Sequence, residues 1–189
     1  MAAAPRSARS TGTVQTDGVT VMITPEYCRT MARYNTWQNN GLRDIVKKMD
    51  DAELRRDRGA FFGSIMGTLN HLLWGDQLWI SRFDGGPGTD LTIRDSVEFT
   101  PTPAVWAAER FRMDARITRW AAKVNAIDLV GDLAWFSGSM QRDFIQPMAV
   151  CVMQMFNHQT HHRGQVHAML TAAGQRPTDT DLPFMPKDT

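Results

Sequence analysis

The chain has 189 residues, of which 42% are hydrophobic, and its formal net charge at pH 7 is +1. This length and composition suffice for one domain with a buried core, and the lack of a basic run excludes the charge pattern of a nucleic-acid-binding protein. No stretch approaches the ~20 apolar residues of a membrane-spanning helix. Cys28 and Cys151 do not make a disulfide framework, so we expect a cytoplasmic protein whose metal sites, if any, use nitrogen and oxygen ligands.

Residues 1–20 are rich in Ala, Ser, Thr and Gly and carry few large apolar side chains. Such a composition cannot form a packed core, and we expect a disordered N-terminal tail. The remaining residues, 21–189, are expected to fold as a single domain.

The first long helix is predicted to begin at Pro25. Thr24 can cap it, proline suits its first turn, and Glu26 favours the positive end of the helix dipole. Apolar and aromatic residues then recur at steps of three and four for about 25 residues. A short helical turn is expected to follow at residues 52–56.

The second long helix is predicted over residues 61–83. It is apolar or small almost all round, which indicates a helix buried on two faces. His71 lies well over 90° from its aliphatic stripe, and a histidine there is normally a packed core residue. It is also the one histidine outside the C-terminal helix, so it could complete a site formed by the others. The stripe itself comprises Ile65, Leu69, Leu72, Ile80 and Phe83.

A loop is expected over residues 89–102. A third long helix should follow, starting at Thr102-Pro103 and exposing one polar face to solvent. Residues 128–147 change to short apolar runs around Ser137-Gly138-Ser139, which predicts a small hairpin. Together with the helix that follows Pro147, these elements predict an all-α four-helix bundle with a hairpin before the last helix.

The last helix, predicted over residues 148–173, carries most of the histidines. On a helix with 3.6 residues per turn, His162 lies roughly 40° from the centre of the apolar stripe and His158 roughly 80° to the same side. His161 and His167 fall on opposite flanks. Imidazoles spaced i, i+4 on one flank can bind one metal ion, and the alternative is a pair of hydrogen-bonded core histidines. The apolar stripe comprises Val152, Met155, Val166 and Leu170. Residues 174–177 should end this helix, and residues 181–185 should pack back onto the bundle.

Five sequence blocks in this order resemble the DinB family of damage-inducible, YfiT-like four-helix metalloproteins. They cover the chain from about residue 24 to residue 185. The blocks are Met31-Ala32-Arg33-Tyr34-Asn35-Thr36-Trp37, Arg58-Gly59-Ala60-Phe61-Phe62-Gly63-Ser64-Ile65, Thr68-Leu69-Asn70-His71-Leu72-Leu73-Trp74-Gly75-Asp76, Asn157-His158-Gln159-Thr160-His161-His162-Arg163-Gly164-Gln165-Val166, and Gly174-Gln175-Arg176-Pro177 with Thr180-Asp181-Leu182-Pro183.

The resemblance implies that His71, His158 and His162 bind a divalent metal. It also implies a homodimer and a small-molecule substrate. Relatives are similar to S-transferases in which a metal holds the thiolate of a low-molecular-weight thiol for attack on an electrophile, and this is the function that we expect first. The alternatives are a metal-dependent hydrolase that activates water and a non-catalytic, stress-related protein that binds metal only structurally.

Three neutral imidazoles leave the charge of a divalent ion unneutralised and at least one coordination position open, as in catalytic zinc sites. Zinc or nickel would suit such ligands. A zinc-protease mechanism is excluded locally, because Gln159 stands where the His-Glu-x-x-His motif carries its glutamate.

Asn70, Asp76 and Gln159 lie close enough to the histidines in sequence to orient an imidazole ring, and could equally be surface or capping residues. Arg163 directly follows His162 and could meet an anionic substrate group, but a solvated arginine is the simpler expectation.

Overall fold

The computed structural model describes residues 22–187, in which four long helices form the bundle. These are α1 (Pro25–Val46), α3 (Ile65–Asp84), α4 (Pro103–Lys123) and α5 (Met148–Ala172). A short helix α2 (Asp51–Arg55) links α1 to α3, and the strands β1 (Asp132–Ser137) and β2 (Arg142–Pro147) precede α5. The predicted helical bundle with a hairpin is confirmed. The disorder predicted for residues 1–20 falls outside the described residues.

The helices pack as two adjoining pairs, α1 against α4 and α3 against α5, and α3 also contacts α4. The predicted inner stripe of α5 is fully buried at the centre of the core. Trp106 and Phe156 are the bulkiest fully buried side chains and fill the space between the pairs. Among residues 22–187, no helix combines the length and apolarity needed to cross a bilayer.

The helix α3 begins at Ile65, four residues later than the apolar pattern predicts. Gly63 has a φ of +73°, which ends any regular helix before it, and the Ser64 hydroxyl then accepts a hydrogen bond from the Gly67 N–H at 2.9 Å. Residues 60–63 form a tight turn instead. This turn, and not a first helical turn, places Phe62 beside the histidines.

Residues 89–102 form a loop, as expected, but the loop contains a 3₁₀ turn at Asp95–Glu98 that packs on α3. Asn70 holds this turn, because its side chain donates to the Val97 carbonyl at 2.9 Å and accepts from the Thr100 hydroxyl at 2.6 Å. The turn buries Ser96 completely.

The prediction that the polar face of α4 is exposed to solvent is only partly correct. Arg110 and Asp114 are buried between helices, at 2% and 3% exposure. Arg110 donates to Asp76 of α3 at 2.5 Å, and its other terminal nitrogen lies 2.8 Å from Asp114, which also accepts from Asn39 of α1 at 2.8 Å. Ion pairing compensates part of the desolvation cost of these charges. The helical pattern of α4 alone could not show that these charged residues are buried.

The hairpin pairs Asp132 with Pro147 through to Ser137 with Arg142 in antiparallel register. Trp135 of β1 contacts α3, where its ring lies 5.6 Å from that of Trp79.

The C-terminal segment contacts α1 through main-chain groups just outside residues 181–185, the stretch that the sequence predicts to pack onto the bundle. Tyr34 donates to the Thr180 carbonyl at 2.7 Å, and Gln38 donates to the Asp179 carbonyl at 2.7 Å. The apolar side chains of Leu182 and Phe184 stay 41% and 68% exposed.

Candidate metal site

Three histidines from two helices converge at one point between α3 and α5. One ring nitrogen from each of His71, His158 and His162 lies within 4.8 Å of the other two. The Nε2 atoms of His71 and His158 are 3.0 Å apart. His71 and His162 are buried, and His158 is half-buried. The i, i+4 spacing on α5 and the second buried face of α3 together produce this cluster.

Ser96 determines which nitrogen of His71 is free. The Ser96 hydroxyl donates its proton to the Ile93 carbonyl at 2.7 Å, so its oxygen accepts from the His71 Nδ1–H at 3.0 Å. The lone pair of His71 therefore lies on Nε2, the atom that faces His158. A hydrogen bond to the far nitrogen is how proteins orient histidine ligands of metals.

Gln165 performs the same task for His162. The amide oxygen of Gln165 lies 2.7 Å from the His162 Nδ1, which must donate to it, and the Nε2 lone pair is left for the cluster. The His158 Nδ1 is buried without a hydrogen-bond partner among residues 22–187. Among the described residues, no hydrogen bond at Nδ1 orients the His158 ring as Ser96 and Gln165 orient the other two.

Burial keeps all three imidazoles neutral. Desolvation, followed by the proximity of the other histidines, lowers the pKa of His71 to about 3 and that of His158 to about 4. The pKa of His162 is also lowered, chiefly by desolvation and against the opposing effect of the Gln165 hydrogen bond. Neutral rings present the lone pairs that a metal ion requires.

The separation of the His71 and His158 nitrogens is compatible with a transition metal, and the nitrogen of His162 lies within 4.8 Å of both. Two nitrogens bound to one tetrahedral ion at ~2.0–2.1 Å are about 3.3 Å apart. The 3.0 Å separation of the His71 and His158 nitrogens is close to that value, and small rotations of the rings would reach it. Within residues 22–187, no carboxylate or thiol joins the cluster.

Aromatic side chains cover the cluster. The Phe62 ring stacks on the His71 ring with centroids 3.7 Å apart. The Trp74 ring also stacks on the His71 ring, with centroids 5.5 Å apart. The next residue, Gly75, approaches His158 so closely that an added Cβ would lie 2.8 Å from its Cε1. A glycine at this position is therefore needed for the observed position of the His158 ring.

The four further residues proposed from sequence do not touch the rings through any hydrogen bond in the described part of the chain. Asn70 acts through the 3₁₀ turn that carries Ser96. Gln159 donates to Asp76 at 2.6 Å, and both belong to the buried network around Arg110. Arg163 is buried at 4% exposure and bonds to Asn35, whereas a solvated side chain was the simpler expectation.

Sequence reasoning missed Ser96, Gln165 and Gly75 as parts of the site. Gln165 lies one helical turn after His162, so its spacing could have indicated it. No local pattern could have indicated Ser96, because the long-range contact of its loop with α3 brings it to His71.

Comparison with known proteins identifies a family and a similar fold. The sequence model of the DinB family matches residues 22–189. The chain belongs to the DinB family. Protein DinB of Bacillus subtilis (strain 168) is 24% identical over an alignment of 152 residues, and the match covers 78% of this chain and 87% of that protein.

A solved structure supports the fold of this DinB-family chain. The crystal structure of a DinB-like protein from Bacillus cereus ATCC 10987 superposes with a TM-score of 0.58 at 14% identity. The match covers 76% of this chain and 91% of that one. At this identity the likeness shows the fold alone, and the histidine cluster is the observation that bears on function.

Proposed function

We propose that this DinB-family protein is a divalent-metal-dependent enzyme in which His71, His158 and His162 hold zinc or nickel and a low-molecular-weight thiol is activated for S-transfer to an electrophile. The observation that supports it is the convergence of three neutral imidazoles without a carboxylate. When bound to such ligands, a divalent ion keeps its full charge, retains an open position and favours the thiolate form of a thiol bound to it.

The chain's own residues would supply orientation and exclusion of water. Ser96 and Gln165 hold two of the rings in the tautomer that presents Nε2. Phe62 and Trp74 cover the His71 ring with apolar surface, which removes water from the side of the site that they occupy. Phe61 lies beside Phe62 and is 81% exposed, so it offers an apolar surface to a substrate that approaches the site.

The test begins with purified protein loaded with zinc or nickel and incubated with a panel of low-molecular-weight thiols and electrophiles. We expect metal-dependent formation of a thioether product with loss of free thiol. The His71→Ala variant should lose both metal and activity, and His161→Ala should keep both, because His161 lies on the exposed side of α5.

The alternatives give different products in the same assay. Electrophile cleavage that needs metal but no thiol would identify a hydrolase. Stoichiometric metal without turnover of any pair would favour a non-catalytic metal-binding protein. We also propose that residues 21–189 form a single domain and that the protein is a homodimer. A mass of 21.3 kDa in sedimentation equilibrium, the mass of one chain, would contradict the dimer.

A further inference from the structure

A polar cavity lies between α1, α5 and the C-terminal segment, and none of the three site histidines lines it. Its volume is about 350 Å³. We call it the Arg163 cavity. Its polar lining consists of Tyr34, Gln38, Thr160, Arg163, His167 and Thr180.

The guanidinium of Arg163 is a buried cation without an ion pair among the described residues. It donates to the Asn35 amide oxygen and, at 3.4 Å, to the Thr160 hydroxyl, both of which are uncharged. It also lies 5.3 Å from the centre of the Tyr34 ring. The two acids of the neighbouring network are already engaged, because Asp76 accepts from Arg110 and Gln159, and Asp114 pairs with Arg110 and accepts from Asn39. Because burying an unpaired charge is costly, this site is suited to an anion.

Two further polar atoms of the lining are buried without partners among residues 22–187. Gln38 is completely buried, and while its amide nitrogen donates to the Asp179 carbonyl, its Oε1 accepts no hydrogen bond. The Nε2 of His167 is likewise unpartnered. An unused acceptor beside an unpaired cation calls for a ligand that has both an anionic group and a hydrogen-bond donor.

We propose that the Arg163 cavity binds a small carboxylic acid that carries a hydroxyl or amino group beside its carboxylate. Arg163 binds the carboxylate, since its planar fork matches the two oxygens. The hydroxyl or amine donates to the Gln38 Oε1. Tyr34 closes the cavity by holding the Thr180 carbonyl.

The first test measures binding of glycolate, glycine, acetate and glycolamide to the full chain by calorimetric titration. We expect saturable binding of glycolate or glycine, about three- to tenfold tighter than that of acetate, the usual effect of one extra hydrogen bond. The comparison of glycolate with glycine separates a hydroxyl from an amine. The neutral glycolamide should not bind measurably.

Variants assign the binding to this cavity. Arg163→Met should abolish binding of every acid, and Gln38→Met should make the affinities of glycolate and acetate equal. The control variant His161→Ala alters an exposed neighbour and should bind like the unmodified chain. If circular dichroism shows that Arg163→Met does not fold, the preference of the unmodified chain for glycolate over glycolamide and acetate decides.

Two results would overturn the proposal: no saturable binding of any acid, or unchanged affinity in a folded Arg163→Met variant. The inference is independent of the proposed enzyme. The His71→Ala variant, which should lack metal, should bind glycolate with unchanged affinity, so failure of one proposal is distinguishable from failure of the other.

Discussion

The close contact between Gly75 and His158 gives the sharpest test of the metal site. Gly75 lies inside α3, and a Cβ added there would lie 2.8 Å from the His158 Cε1 and 3.3 Å from its Nδ1. Carbon atoms in contact are normally at least ~3.5 Å apart, so Gly75→Ala would force the ring to move by about 0.7 Å. Metal–nitrogen distances tolerate only about ±0.2 Å.

We therefore expect Gly75→Ala to weaken metal affinity by at least about tenfold, the lower end of what disturbing the orientation of a ligand costs. The same change adds helix propensity, about 1 kcal/mol for glycine to alanine. The metal-free variant should consequently stay folded. Loss of affinity would then report the position of the ring and not unfolding.

Gly164→Ala is the matched control, because Gly164 also lies within a helix and an added Cβ there would meet no atom of residues 22–187 within 4 Å. It should gain about 1 kcal/mol, or a rise in Tm of roughly 2–4 °C, with unchanged metal affinity. Competition titration against a chromophoric chelator measures affinity, and thermal melting of the metal-free proteins measures stability. Equal metal affinities in the two alanine variants would refute the reasoning.

The remaining predictions concern the ligands, the fold, pH and the buried ion pairs. Alanine at any of the three site histidines should remove the metal in elemental analysis, whereas alanine at His167 should not; metal retained in one of the three would remove that residue from the site. After chelation the protein should keep its helical circular dichroism spectrum but melt at a lower temperature, because metal a thousandfold above its Kd adds roughly 4 kcal/mol to the free energy of unfolding. A random-coil spectrum after chelation would contradict this. The pKa values of His71 and His158, about 3 and about 4, lie below the ~6.5 of unfolded histidine, so the unfolded chain binds more protons as the pH falls. The stability of the metal-free protein should therefore be complete above about pH 6.5 and should fall as the pH drops towards 4. A Tm that stays constant over that range would argue against buried neutral rings. Asp76→Ala leaves Arg110 buried with one partner fewer and should lower the free energy of unfolding by about 3 kcal/mol in denaturant titration; a loss below about 1 kcal/mol would mean that the network relaxes around the gap.

Much of the fold follows from local signals in the sequence. Thr24 and Thr102 accept hydrogen bonds from the backbone N–H groups at the starts of α1 and α4, where the sequence predicts that helices begin. The hairpin predicted around Ser137-Gly138-Ser139 forms there, with its turn at residues 138–141 between the paired strands. These features depend on neighbouring residues, so they can be read without knowledge of the rest of the molecule.

The histidine cluster was predictable in part for the same reason. The pair at positions 158 and 162 is set by the helical repeat, which brings the two rings to one flank of α5. The addition of His71 depended on resemblance to the family, because no periodicity connects α3 to α5. The structure brings its ring to 5.0 Å from that of His158.

Only the tertiary structure determined how the rings are oriented and which charges are buried. Ser96 reaches His71 across 25 positions of sequence, and Arg163 is buried because Asn35, 128 positions away, accepts its hydrogen bond. An arginine or a serine is compatible with either solvent or a core partner, and the choice depends on which helices meet. Helical periodicity determines which residues share a face, whereas packing between helices determines what that face contacts, and the proposed metal site and the Arg163 cavity both depend on those contacts.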